Sequence, residues 1–166
     1  STCGIANAVD LPPLPQAIKD AGVLKVGVRC DQPPYGFKDE NGNYAGIETE
    51  MALQIAEWAF GSKDKAQLTC VTADNRIQQL LSKKVDILYA TLGVTPERAR
   101  VVQFSAPYRW DGSDVVVMNN SKIQKLDDLN GKTIIVLKGD NKGKWFEEKM
   151  PKVNLLRLNS TADALQ

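Results

Sequence analysis

The chain contains no histidine among its 166 residues, which excludes a Ser-His-Asp or Cys-His nucleophile and every histidine-based metal site. Most hydrolase chemistry goes with them. Cysteine is scarce as well: Cys3, Cys30 and Cys70 stand far apart, without the close CxxC spacing of zinc or redox sites. No stretch approaches the roughly 18 consecutive apolar residues of a membrane-spanning helix, and no secretory apolar core is present. An excess of one charge is also missing. The 21 basic and 20 acidic residues leave a formal charge of +1, so no global field recruits nucleic acid or an anionic membrane. A small molecule is the expected partner. With 43% hydrophobic and 25% charged residues, the composition is that of a globular protein of one domain or two small lobes, not of a disordered segment or a coiled coil.

What is present centres on residues 85–100, VDILYATLGVTPERAR. Residues 85–90 are a short apolar run with one charge, which predicts a buried parallel strand. Thr91, Leu92 and Gly93 form a tight loop, and Thr95 followed by Pro96 is a helix start with a hydroxyl N-cap and proline at the first helical position. Such a start leaves backbone N–H groups free, and the helix dipole favours an anion there. Arg98 is out of place by that logic, since a cation in the first turn opposes the dipole by ~0.3–1 kcal/mol. A guanidinium fork beside free N–H groups and the Thr91 and Thr95 hydroxyls would grip a carboxylate by two charge-assisted bonds. The competing reading is a solvent pair between Arg98 and Glu97. Arg76 repeats the anomaly in the first turn of a helix capped by Asp74, after a strand over 67–72. In an open parallel sheet both strand–helix junctions lie on one edge, and Arg29, at the end of a strand over 24–28, joins them there. A surface pair with Asp74 and a strand-end charge in solvent are the plainer readings of Arg76 and Arg29.

Along the rest of the chain, residues 1–13 carry a Pro-Pro pair and no periodicity and read as a surface arm. Residues 14–21 predict a short helix ended by Gly22. Pro33 and Pro34 stiffen the loop before Tyr35, and Asp39-Glu-Asn-Gly-Asn43 predicts a hairpin turn joining 35–38 to 44–46. A helix over 48–60 is expected to bury Met51, Ile55, Trp58 and Ala59, and the helix after Asp74 to bury Ile77, Leu80 and Leu81. Residues 101–104 and 113–118 predict short strands, the second crossing into a second lobe. That lobe opens with a capped turn over 125–129 and an Asn-Gly turn at 130–131. A strand over 133–137, a helix through Trp145, Phe146 and Met150, and a strand over 153–158 follow, and Ser160 with Asp163 opens one more helix. Residues 139–145, GDNKGKW, are not a phosphate loop: three residues separate the glycines where a Walker motif has four, and no Ser or Thr follows the lysine. The pattern stops inside the last helix, as expected of a piece of a longer protein or of a chain that associates. A Cys30–Cys70 bridge requires their strands to be neighbours. One reading of Ser-Thr-Cys-Gly at residues 1–4 is the remnant of a lipoprotein anchor at Cys3.

Three ordered stretches, LKVGVRCDQPPYGFKDENGNYAGIETEMA (24–52), TADNRIQQLLSKKVDILYATLGVTPERARVVQFSAPY (72–108) and KIQKLDDLNGKTIIVLKGDN (122–141), resemble one family. It is the family 3 extracytoplasmic solute-binding proteins of polar amino-acid ABC importers. The resemblance implies the type II periplasmic-binding-protein fold: two α/β lobes joined by hinge strands, closing on a ligand. Residues 1–21 would be an arm and short helix, 22–112 the first lobe, and 113–166 the hinge strand with an incomplete second lobe. It implies no metal and no cofactor, a periplasmic or other extracytoplasmic location, and an ABC permease as partner. By position, Arg98 would hold the α-carboxylate of an amino acid, with Thr91 and Gly93 on the same loop, while Tyr35 would wall the pocket. The acid that usually completes the ammonium site would come from beyond residue 166. Arg29 and Arg76 match places where glutamate- and aspartate-binding members use basic or polar groups for the side-chain carboxylate, whereas Ala73 stands where a hydroxyl would help. Two more cations near Arg98, with no evident loop acid to cancel all three, favour a dianionic ligand, so glutamate or aspartate is expected. PPYGFKDENG and KKVD also resemble cysteine- and cystine-binding members. A dehydratase on the same scaffold, resembling cyclohexadienyl dehydratase, is the enzymatic alternative. It would need a general acid, for which Asp31 is the one loop carboxylate to nominate.

Overall fold

The computed structural model describes residues 13–166; most of the surface arm, and Cys3 with its anchor reading, lie outside the described residues. Helix α1 (Gln16–Ala21) ends on Gly22 in the left-handed conformation, as the sequence predicts. Next comes β1 (Leu24–Arg29), a strand buried almost throughout. Two short strands, β2 (Asp31–Gln32) and β3 (Gly36–Lys38), pair antiparallel, and β3 pairs in turn with β4 (Tyr44–Ala45). The connecting turn is built by Asp39, whose carboxylate accepts from the N–H groups of Asn41 and Asn43 at 2.9 and 2.7 Å. Then follow α2 (Ile47–Phe60), β5 (Ala66–Val71), α3 (Arg76–Leu81), β6 (Ile87–Tyr89) and α4 (Pro96–Ala99).

These elements form the first lobe around a parallel sheet of order β5-β1-β6. Val26 and Val28 of β1 pack with Ala52 and Ala56 of α2 into its core. The second lobe has a core of its own, built from Leu129, Val136, Phe146 and Val153. Here β7 (Thr133–Leu137) and β8 (Asn154–Leu158) run parallel, joined through α5 (Asn141–Lys149), and α6 (Thr161–Ala164) follows. Its N-cap Ser160 accepts from the Asp163 N–H. The turn over 125–129 is a 3-10 helix over Leu126–Leu129, held by Asp128 accepting from the N–H groups of Gln124 and Lys125.

Several expectations are corrected. Helix α2 buries Glu48, Thr49, Ala52 and Ala56, while Trp58 is 67% exposed. Met51 and Trp58 lie about 100° or more round the helix from the alanines, whose small side chains let α2 sit close on β1. Leu81 is half exposed because α3 ends there. The residue before α3 is Asn75, not Asp74; its side-chain oxygen accepts from the Thr72 N–H at 2.9 Å. Residues 101–104 and 113–118 form no strand, since no other described segment pairs with them and a strand exists only through a ladder.

The cysteine question is settled by register. Val28 lies opposite Cys70 across β1 and β5, and the Cys30–Cys70 disulfide forms with a Cα–Cα distance of 5.5 Å. It closes a loop with a sequence separation of 40, for which chain entropy gives about 3–4 kcal/mol of stabilisation. Reduction, or Cys70→Ser, is therefore expected to lower the unfolding free energy of the first lobe by that amount, seen as a lower urea midpoint. An unchanged midpoint with and without reductant would contradict it.

Candidate functional site

The parallel strands of the first lobe present their C-terminal ends to a cleft of about 670 Å³, a size within the usual ~300–1,000 Å³ of small-molecule sites. The Thr91–Val94 loop, the 104–111 segment and residues 140–142 of the second lobe line it, together with Arg29, Arg76 and Arg98. The three arginines singled out in the sequence are thus brought together. Their environments differ.

Arg98 is held by the predicted helix start: Pro96 opens α4 and the Thr95 hydroxyl accepts from the Arg98 N–H at 3.2 Å. Its guanidinium spans the cleft, donating to the Gly93 carbonyl at 2.8 Å and to the Gly139 carbonyl of the second lobe at 2.9 Å. The alternative pair with Glu97 does not form, because Glu97 binds Lys144 of α5 instead. That contact pulls the Glu97 carboxyl down to about 2. Burial lowers the Arg98 pKa, against the opposing charges of Asp140 and Glu97.

Gly139 makes the approach of the lobes possible. It has φ +74°, and a Cβ there would stand 2.2 Å from the Ala73 carbonyl oxygen and 2.4 Å from the Asp74 Cα. Ala73 meets the second lobe through its backbone in this way and does not line the cleft. Gly139→Ala is expected to hold the lobes apart while leaving both cores intact. Small-angle scattering should show a larger radius of gyration in the variant, and an unchanged radius would refute the claim.

Arg76 opens α3 and is only 3% exposed. Its Nη1 donates to the Ala90 carbonyl at 2.6 Å, while Nε is buried without a partner. Burial, with the positive charges of Arg98 and Arg29 nearby, pulls its pKa down to about 10. Asp74 is exposed and forms no pair with it. Arg29, 1% exposed, donates through Nε and Nη2 to Asp31 at 3.0 and 2.8 Å. Of the three arginines, Arg29 is thus matched by a loop acid, Asp31. The second Asp31 oxygen accepts from the Thr161 N–H of α6 at 3.1 Å, so this carboxylate is engaged on both sides.

Thr91 has φ +51°, unusual for a β-branched residue. Its N–H donates to both oxygens of Glu48 at 3.0 Å, and its hydroxyl lies 2.9 Å from the Gln32 side-chain oxygen. Tyr35 does not line the cleft. Its carbonyl accepts from the Glu48 N–H at 2.9 Å, and the Pro34 carbonyl accepts from Ile47 N–H at 3.0 Å. The proline loop thereby caps α2, whose N-cap Gly46 has no side chain to do so. The Tyr35 ring lies beneath the Arg109 guanidinium, 3.9 Å away.

Sequence reasoning missed Glu48, Gln32, Tyr108, Arg109 and the Asp140–Lys142 stretch. For Glu48 a signal existed, since a carboxylate four residues before Ala52 and eight before Ala56 shares the buried face of α2. For the second-lobe loop there was none, because only the closure of the lobes carries it to Arg98. Among the described residues no cluster of three acidic or cysteine side chains is placed to hold a metal ion.

Two α/β lobes, each with its own core, closing on a cleft lined with cations define a two-lobed ligand-binding architecture. The chain belongs to the bacterial extracellular solute-binding proteins, family 3, whose profile matches residues 24–165. It is 33% identical over 150 residues to the ABC transporter glutamine-binding protein GlnH of Bacillus subtilis, covering 89% of this chain and 55% of that protein. The cysteine-binding protein of Campylobacter jejuni superposes with a TM-score of 0.82 at 34% identity, over 90% of this chain and 60% of that one. A cyclohexadienyl dehydratase of Pseudomonas aeruginosa is 28% identical over 143 residues, 84% of this chain and 52% of the enzyme. The chain spans about half the length of the curated relatives it matches.

Proposed function

We propose that this chain captures an amino acid in the cleft for delivery to an ABC importer outside the cytoplasm, with glutamate or aspartate as the favoured ligand. Arg98 holds the α-carboxylate, with Thr91 and Gly93 beside it, and Arg76 meets the side-chain carboxylate. The division into lobes at residues 22–112 and 113–166 belongs to the same reading. One observation carries the preference for an acidic ligand: the other cations of the cleft already have carboxylate partners. Arg29 pairs with Asp31, Arg109 with Asp111 and Lys142 with Asp140, while Arg76 keeps a buried, unpartnered Nε. A second anionic group on the ligand is what such a site lacks.

The relatives named for glutamine and cysteine support a neutral polar ligand as the second reading, with Arg76 then reinforcing Arg98 on a single carboxylate. An enzymatic reading has less support. Asp111 and Asp140 are ion-paired and Asp31 is engaged on both oxygens, so no carboxyl of the cleft stands free as a general acid. Thermal shift against the common amino acids plus cystine separates the readings, because a ligand bound only by the folded state raises stability as ln(1 + [L]/Kd). Shifts confined to glutamate and aspartate are expected. A shift with cysteine, cystine or glutamine alone would install the second reading, and turnover of prephenate or arogenate would install the enzymatic one.

A further inference from the structure

Glu48 is fully buried on the first turn of α2, away from the ligand space, and none of the described lysines or arginines forms an ion pair with it. A carboxylate in such a place is costly unless its oxygens are hydrogen-bonded. Both are. The Thr91 N–H donates to Oε1 and Oε2 at 3.0 Å each, and the Tyr108 hydroxyl donates to Oε1 at 2.6 Å. Thr91 and Tyr108 line the cleft from different segments, one on the loop after β6 and the other on the stretch that leads to the second lobe.

The same peptide unit is gripped from its other side. The Ala90 carbonyl, which shares that unit with the Thr91 N–H, accepts from Arg76 Nη1 at 2.6 Å. A buried carboxylate and a buried guanidinium therefore hold one peptide group end to end, and each charge is met by the matching end of its dipole. Two residues further on, the Gly93 carbonyl receives Arg98 Nη1. The orientation of the Ala90–Thr91 peptide thus aims both arginines of the proposed site. The left-handed turn at Thr91 is a conformation that a β-branched residue keeps only when its surroundings impose it.

We propose that Glu48 is the positioning residue of the cleft: its carboxylate fixes the Ala90–Thr91 peptide and Tyr108 together, and so sets the directions of Arg76 and Arg98. A purely packing role would be filled equally by glutamine, which has the same length and nearly the same volume. Glutamine, however, is uncharged and would set an NH2 donor where Oε2 now accepts from the Thr91 N–H, so the two donors that grip the carboxylate would be left with one oxygen between them.

The effect on affinity rests on the proposed amino-acid reading, so the test has two arms in the complete protein. In the first, glutamate is titrated calorimetrically into wild type, Glu48→Gln, Thr91→Gly and the double variant. Glu48→Gln is expected to weaken glutamate binding about tenfold or more. In the Thr91→Gly background, where glycine adopts the left-handed conformation without cost, the same change should weaken it clearly less. Equal losses in both backgrounds, or no loss, overturn the proposal. The second arm needs no ligand: the Thr91 amide proton, shifted downfield by the carboxylate, should move upfield in Glu48→Gln. Tyr108→Phe, which leaves the carboxylate in place, should shift that resonance as well and serves if Glu48→Gln does not fold. A Thr91 resonance unmoved in both variants overturns the positioning role even if wild type binds no glutamate, whereas movement with no glutamate binding sustains it and rejects only the ligand assignment.

Discussion

Arg98→Ala is expected to cut the affinity for glutamate by at least about 30-fold, and to do so equally for every amino acid the protein accepts. Removing one partner of a desolvated, hydrogen-bonded charge pair costs about 2–5 kcal/mol, and 1.4 kcal/mol is a factor of ten. Two losses act together here. On the proposed reading the ligand carboxylate loses its guanidinium, and the two lobes lose the bond from Arg98 to the Gly139 carbonyl. Stability should change little, because Arg98 belongs to neither apolar core. Arg98→Lys keeps the charge without the planar fork and should fall between wild type and alanine. Calorimetry with glutamate, aspartate and glutamine measures all three proteins, and an Arg98→Ala variant that binds as well as wild type would remove the carboxylate site from this loop.

Arg76→Met is expected to move stability and binding in opposite directions. In the free protein Arg76 is a buried cation whose nearest charged neighbours include Arg98 and Arg29, and burial already pulls its pKa down to about 10. For a base with a lowered folded pKa, the charged form is penalised in the fold at neutral pH, and the penalty eases only as pH rises above about 10. An unbranched apolar side chain of similar length removes that penalty. It also gives up the bond to Ala90, so a net gain on the order of 1 kcal/mol is expected, within the range seen when buried charges are replaced by apolar residues. Glutamate and aspartate should meanwhile bind at least about tenfold more weakly, with glutamine affected much less. Thermal unfolding of the free variant and a three-ligand titration give both readouts. A variant that is less stable, or that loses glutamate and glutamine alike, would show that Arg76 holds the fold or the α-carboxylate rather than an acidic side chain.

Much of this was legible along the chain because its causes are local. Thr95 and Pro96 start α4, Gly22 stops α1, Ser160 caps α6, and Asn41-Gly42 turns the hairpin; each acts within a few residues of its own backbone. The alternation of apolar runs with helical stretches dictates parallel strands, and parallel strands place the junctions at Arg29, Arg76 and Thr91 on one sheet edge. A cation in the first turn of a helix was a visible anomaly, and it pointed to the cleft at both Arg76 and Arg98. The stripe of Met51 and Trp58 misled because large apolar side chains outweigh alanine in a periodicity, whereas the close approach of α2 to β1 selects alanine.

The fate of each charge was decided only in three dimensions. Arg29 and Asp31 are two residues apart, yet nothing local says that both turn inward to pair while Arg76 stays unmatched. Glu48 meets Thr91 across 43 residues and Tyr108 across 60, and Arg98 meets Gly139 across 41. Spacing and capping determined the α/β alternation, the sheet edge and the candidate arginines, because propensity, capping and periodicity are short-range effects, while the two-lobed fold was read from the family resemblance. The tertiary structure decided which cations remain for a ligand, since Coulomb energy and desolvation depend on separation in space and not on position along the chain.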